Sequence, residues 1–270
     1  MLAFPKASIS HLSMSVDISR PHIGRIYDYV LGGTYNYEAD RRAAEAMIEL
    51  MPAYPRWARL NRSFLNHVGK LWASQGRTRV LDLGSGLPTQ GHFNTCLPDA
   101  RILFADFDPL TVAQGQQILA YTSDMAYTEA DVRQPEVLLA QAETFFEGER
   151  TLAVGCIGVL YFLSDEQLRH LMKALHDFCA PGSSLALSFP AMDGGGVVTE
   201  EARVALEGAA KLARIEFFHR TPAEIAEVIK PWHMTTTVPL AGWLDDTLPP
   251  SDREHALRRV GMLGAFAEHG

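Results

Sequence analysis

Two rhythms of apolar residues divide this chain. Toward the N-terminus they return every three or four positions: Trp57, Leu60, Phe64, Val68 and Leu71 fall on one face of a 3.6-residue period. That spacing predicts a helix from about Arg56 to Ser74, stopped by Gly76 just past its end. The preceding stretch, Ala39 to Leu50, predicts another, with Ala43, Met47, Ile48 and Leu50 toward one side. Residues 1–20 carry neither rhythm and read as a flexible arm, which leaves 21–75 as an N-terminal helical region.

After Gly76 the pattern changes to short continuous apolar runs. These are Arg79–Leu83, Arg101–Ala105, Met125–Ala130, Thr151–Cys156 and Ser184–Phe189. Helical patterns separate them, at Pro109–Tyr121, Pro135–Phe146 and Asp165–Cys179. Asp108 makes an N-cap ahead of Pro109, a good first-turn residue. Buried strands alternating with amphipathic helices predict a doubly wound, mainly parallel α/β sheet over 76–270, with helices on both faces. Farther on, Thr221-Pro222-Ala223-Glu224 is a capping box that starts a helix reaching Lys230. The Thr and Val content of His233–Leu240 predicts a strand. Periodicity leaves Val260–Glu268 open between helix and strand, and it is read as the last edge strand.

Composition narrows the class. The 270 residues are 47% hydrophobic and 21% charged, enough apolar material for a real core and too little charge for disorder. The net charge of −8 argues against a nucleic-acid coat or a polybasic membrane anchor. No apolar run approaches the roughly 20 residues that span a bilayer, and Met1–Ser19 lacks the apolar centre of a signal peptide. Cys96, Cys156 and Cys179 are widely spaced and read as reduced thiols of a cytoplasmic protein. The ten histidines include no HExxH or other ligand spacing, so no metal site is expected. There is no Gly-x-Ser-x-Gly elbow of the α/β-hydrolase kind.

The chemistry concentrates where the first strand ends. Val80-Leu81-Asp82-Leu83 runs directly into Gly84-Ser85-Gly86, with a helix expected after Pro88. Glycines there let the backbone turn tightly and approach a ligand. Asp106 ends the next strand 22 residues after Gly84, where a doubly wound fold places a carboxylate for ribose hydroxyls. A dinucleotide site would want a third glycine at position 89, which is Thr89, and no P-loop is present. The ligand is therefore an adenosine held without a pyrophosphate cradle. Asp131 can accept from an adenine amino group, and Phe107 offers the ring an apolar face. Each acid also has a plainer role open to it: a turn at Asp82, a helix cap at Asp106, a strand end at Asp131.

These residues carry a resemblance. Leu81-Asp82-Leu83-Gly84-Ser85-Gly86, Asp106 and Ala130-Asp131 resemble the successive motifs of class I S-adenosylmethionine-dependent methyltransferases. More narrowly, the chain is similar to the DUF574 family of actinobacterial-type methyltransferases from about Pro21 to its end. The matching pieces are Arg25 to Gly33, Asn36 with Asp40-Arg41, Arg59 to Arg62, Asp82 to Thr89, Asp106 to Pro109, and Asp131-Val132-Arg133. Two positions depart from that pattern: Tyr161 and Phe189 stand where the family has histidine, so no catalytic role attaches to a histidine there. The resemblance implies a Rossmann-like class I methyltransferase fold, seven-stranded with one antiparallel strand at the edge. It implies S-adenosylmethionine as cofactor, across the carboxyl ends of the first, second and fourth strands. Gly84, Ser85 and Gly86 would flank its methionine part, Asp106 its ribose, and Asp131 and Val132 its adenine. Cys156 and Ile157 would close the site with backbone, while Asp82 orients the glycine turn or the cofactor's amino group.

A parallel sheet leaves such a cofactor open at the strand ends, so something must cover it. The dense polar and aromatic residues of 25–36 suit that role better than a linker. Tyr27, Asp28, Gly33, Asn36, Arg59, Asn61 and Arg62 are the candidate lid side of the pocket, with one arginine paired to the methionine carboxylate. A solvated helix face is the rival reading for both arginines. Tyr161 either faces the acceptor or packs as an ordinary aromatic. Asp193 to Gly196 reads as a surface loop. The reading is a methyltransferase acting on a small molecule, with no nucleic-acid or membrane partner and no signature catalytic residue. The alternatives are a silent regulator that binds S-adenosylmethionine or its demethylated product, and an NAD-dependent Rossmann dehydrogenase. An acceptor-sized cavity beside the sulfonium favours the enzyme. Acceptor choice is expected in the arm, in Ser188–Ala213 and in the loop after Cys156.

Overall fold

The fold is that of a computed structural model, which describes residues 18–50, 52, 54–89, 91–190, 216–240 and 262–270, with single positions 204, 207, 208 and 211. The expectations for residues 1–17, for Asp193–Gly196 and for nearly all of the segment 191–213 lie outside the described residues. The strands are β1 (Arg79–Leu83), β2 (Arg101–Asp106), β3 (Met125–Glu129), β4 (Ala153–Cys156), β5 (Ser184–Pro190), β6 (His233–Pro239) and β7 (Met262–Glu268). They form one sheet in the order β3-β2-β1-β4-β5-β7-β6. The first five are parallel, and β7 runs antiparallel to both β5 and β6.

The helices are α1 (Ile23–Val30), α2 (Glu38–Leu50), α3 (Tyr54–Ser74), α4 (Phe93–Cys96), α5 (Pro109–Ile118), α6 (Pro135–Phe145), α7 (Asp165–Phe178) and α8 (Pro222–Val228). Alternate residues of β1 point to opposite faces of the sheet. Val80 joins Phe64, Val68 and Trp72 of α3 in one core. Leu81 and Leu83 join α6, α7 and α8 residues in the other. Asp108 caps α5 through Thr111 N–H at 3.0 Å, and Thr221 with Glu224 closes the box that starts α8. Ile26, Val30, Ala44, Met47 and Ala58 make a third, smaller core among α1–α3. Among the described residues no helix is long and apolar enough to cross a membrane.

Two departures from the sequence reading concern elements. Residues 262–268 are a strand, but β7 lies between β5 and β6, so the edge belongs to β6. Burial explains the exchange. Met262 to Ala265 are buried, while none of the seven β6 residues is buried and four of them, His233, Thr235, Thr236 and Pro239, are exposed. The helix expected after Pro88 is a single turn, α4, that begins only after His92 caps it by accepting from Phe93 N–H.

Candidate functional site

In a doubly wound sheet the strand order reverses at one point, and the loops there diverge to leave a crevice at the carboxyl ends. Here the reversal lies between β1 and β4. A cavity of about 550 Å³ opens at that point, inside the range of about 300–1,000 Å³ for small-molecule sites.

The floor is the β1 turn. Gly84 and Gly86 both have positive φ, 57° and 61°, a region where side chains are strained. At Gly84 a Cβ would come 2.6 Å from Val159 Cγ2, whereas at Gly86 it would meet nothing within 4 Å. One glycine admits the β4 loop, and the other leaves open space. Asp106, at the end of β2, accepts from Gly86 N–H at Oδ2 (3.0 Å) and from Asp108 N–H at Oδ1 (3.0 Å). The carboxylate thus ties the glycine turn to the next strand while lining the cavity. Burial raises its pKa, against the backbone hydrogen bonds that lower it.

Asp82 sits beneath this floor and is not part of the cavity wall. Its Oδ2 lies 3.6 Å from Nε2 of the buried His92. Burial lifts its pKa from 3.8 to about 7, against the lowering effect of Ser85 and Arg62. A carboxyl whose folded pKa is raised contributes stability that is complete below about pH 4 and is lost as pH rises through 7. Asp82→Asn removes the charge, so its melting temperature relative to wild type should rise by several degrees between pH 5 and pH 8. A difference that stays constant across that window would overturn the assignment.

At one end of the cavity Asp131, Val132 and Phe107 stand together. Asp131 is already paired: Arg133 Nε donates to its Oδ1 at 2.9 Å and Nη2 to its Oδ2 at 2.6 Å. Partial burial raises the Asp131 pKa, but these bonds outweigh it and hold the carboxyl low. The Arg133 guanidinium also lies 5.9 Å from the Phe107 ring centre. Phe107 is 49% exposed, an apolar face presented to the cavity.

Another wall comes from the N-terminal helices, with the His22 ring 5.1 Å from that of Phe107. His22, Tyr27, Asn61 and Arg62 line it, and Tyr161 joins them from the turn after β4. Arg62 carries the clearest electrostatic signal. Its Nε and Nη1 are buried and have no hydrogen-bond partner among the described residues, a costly state for a cation unless an anion arrives. Ser188 Oγ donates to Asn61 Oδ1 at 2.9 Å and accepts from Gly158 N–H at 2.9 Å, linking α3, β5 and the β4 loop.

Six candidate residues do not line the cavity. Besides Asp82 these are Cys156, Asp28, Gly33, Asn36 and Arg59. Cys156 is fully buried within β4, and the wall is made one residue later by Ile157, Gly158 and Val159. Asp28 is spent on its own loop, its Oδ2 accepting from Tyr35 N–H (2.8 Å) and Asn36 Nδ2 (2.9 Å). A Cβ on Gly33 would strike Asp28 Oδ1 at 2.1 Å, so that glycine serves packing. On α3 the wall is the stripe Trp57, Ala58, Asn61, Arg62 and Leu65, and Arg59 falls just beyond it on the helix circumference. Sequence reasoning missed His22, Arg133, Phe217 and Phe218. A pair of aromatics in an unpatterned stretch was the available signal for the last two.

Comparison with known proteins follows the same lines. The family model of the S-adenosyl methyltransferases matches residues 10–269. A candidate methyltransferase from Thermobifida fusca YX superposes with a TM-score of 0.79 at 28% identity, covering 94% of this chain and 96% of that one. A DUF574 family protein from Streptomyces avermitilis MA-4680 gives 0.78 at 27% identity, covering 94% and 99%. The magnesium protoporphyrin IX methyltransferase of Synechocystis PCC 6803, solved with S-adenosylhomocysteine, gives 0.54 at 14% identity over 91% and 93%; that likeness shows the shared fold alone. No curated protein matches the sequence.

Proposed function

We propose how this protein holds its cofactor from one premise: the chain belongs to the S-adenosyl methyltransferase family. Its cofactor is S-adenosylmethionine, which when bound supplies an electrophilic sulfonium methyl group. The residues present fit that molecule. Asp106 receives the ribose hydroxyls, Phe107 and Val132 flank the adenine, and Asp131 accepts from its amino group while held by Arg133. Gly84, Ser85 and Gly86 give the methionine part room, and Ile157 closes the site. Arg62, assisted by Asn61, takes the carboxylate. Helices α1–α3 act as the lid, which excludes water and aligns the acceptor, and alignment is worth about 7–11 kcal/mol in such reactions.

The observation that carries this reading is the half-buried Arg62 side chain, whose buried Nε and Nη1 have no hydrogen-bond partner among the described residues, in the same cavity as Asp106 and Phe107. A cation and a ribose-type carboxylate at separate places in one cleft suit a nucleoside bearing an amino-acid tail. Continuation of the cavity past Tyr27 to Tyr54 and Phe217 leaves an acceptor space, which favours an enzyme over a silent regulator. The acidic charge of −8 favours a small-molecule acceptor over nucleic acid. Thiols outside any disulfide suit the cytoplasm.

Calorimetric titration tests the assignment with three ligands. S-adenosylhomocysteine and 5′-methylthioadenosine should both bind, and NAD should not. Arg62→Ala should weaken S-adenosylhomocysteine about tenfold, the loss of one charged hydrogen-bonding partner. It should leave methylthioadenosine, which has no carboxylate, unchanged. Equal losses for both would remove Arg62 from the carboxylate, and heat with NAD alone would overturn the cofactor reading.

A further inference from the structure

We propose that the acceptor is an uncharged, planar aromatic molecule, seated in an aromatic chamber that continues the cofactor cleft; this rests on the methyltransferase reading above. Beyond Tyr27 the cavity is walled by Tyr54, Trp57, Tyr161, Phe162 and Phe217. These rings come from three separate parts of the chain, α3, the 3-10 turn Leu160–Phe162 and the stretch before α8. Three of them are already in mutual contact, with centroids of Tyr161 and Phe162 at 4.6 Å, Phe162 and Phe217 at 5.3 Å, and Tyr161 and Phe217 at 5.6 Å. Such separations are those at which aromatic rings attract beyond simple area burial, so a planar guest joins an existing cluster of tilted rings.

The chamber is also fixed in place. Phe218 N–H donates to Tyr161 O at 2.8 Å, which ties the Phe217 stretch to the 3-10 turn. Arg220 fastens the same stretch, its Nη2 donating to Leu163 O at 2.7 Å and its Nε to Asp165 Oδ1 at 2.8 Å. A preformed wall of this kind costs little ordering on binding. Charge completes the argument. Burial raises the Tyr54 and Tyr161 pKa values, keeping these side chains neutral. Among the described residues the chamber's carboxylate is Glu216, exposed at the rim, and the cation, Arg62, belongs to the cofactor end. Among the described residues a phosphorylated or carboxylate acceptor would find no cationic partner there, and a saturated chain would forgo the ring contacts.

The test uses protein saturated with S-adenosylhomocysteine, titrated calorimetrically with 2-naphthol and with decahydro-2-naphthol, two neutral alcohols on one carbon skeleton. The aromatic alcohol should bind at least about tenfold more tightly. Phe217→Leu should abolish most of that preference while leaving the S-adenosylhomocysteine affinity within about twofold. Equal binding of the two alcohols, or binding of neither, overturns the aromatic acceptor and leaves the cofactor reading intact. Failure of S-adenosylhomocysteine to bind at all overturns both.

Discussion

Asp106→Ala is expected to weaken S-adenosylmethionine about 100-fold or more while leaving the protein folded. On the proposed assignment the carboxylate receives two ribose hydroxyls. A hydrogen bond to a charged group contributes about 1.5–3 kcal/mol, so two give about 3–6 kcal/mol, or at least 100-fold in affinity. The same side chain also organises the site, since it accepts from Gly86 N–H and Asp108 N–H. Its loss therefore loosens the glycine turn that faces the cofactor. The fold itself should persist, because Asp106 lines an open cavity where water can satisfy the two amides. Asp106→Asn should fall between: an amide keeps one accepting oxygen but turns an NH2 donor toward one of two N–H donors. Calorimetric titration of both variants, with melting curves alongside, decides the matter. An alanine variant binding within about threefold of wild type would remove Asp106 from the ribose.

How much of this was legible beforehand depends on where the physical signal is local. The parallel strands are buried on both faces, so β1, β2, β4 and β5 stand out as unbroken apolar runs, and Asp106 is found by position, at the end of the second run. Helix α3 is equally plain from its apolar stripe. Helix α1 is not, because its buried positions include Arg25 and Asp28 as well as Ile26 and Val30. Two charged residues on the inward face break the pattern that amphipathic reasoning depends on, and only partners outside the helix, from Tyr35 and Asn36 to Asp40 and Asp108, make that face coherent. The same limit applies to β7. Its residues mark a strand, but its place between β5 and β6 depends on pairing with β5 across more than 70 residues, which no local rhythm encodes. The aromatic chamber drew on this kind of long-range assembly too. Trp57 could be read only as part of the α3 stripe, and its meeting with Phe162 and Phe217 around one cavity is a property of the folded chain.

Arg25 is where the largest stability effect should appear. It is only 2% exposed, and Asp40 and Asp108 are 0% and 7% exposed. Arg25 Nε donates to Asp40 Oδ2 at 2.9 Å, Nη1 reaches Asp108 Oδ2 at 3.4 Å, and Nη2 donates to Arg20 O at 2.8 Å. One guanidinium thus joins α2 to the cap of α5, next to Asp106, and fastens the N-terminal helices over the strand ends. Removing one partner of a buried ion pair costs about 3–5 kcal/mol, because the remaining charge stays buried without compensation. Arg25→Ala should therefore lower unfolding stability by about that amount, read from the urea midpoint at unchanged slope. Arg25→Lys should recover only part of it, since a single ammonium lacks the planar fork that spans Asp40 and Asp108. Adding Asp40→Asn to Arg25→Ala removes the stranded charge and should restore some stability. The recovery should be incomplete, because Asp40 also accepts from His22 N–H and Tyr37 N–H, each at 2.9 Å, and an amide can serve only part of that set. A cost below about 1 kcal/mol for Arg25→Ala would mean that the N-terminal helices are held over the sheet by their small apolar core alone.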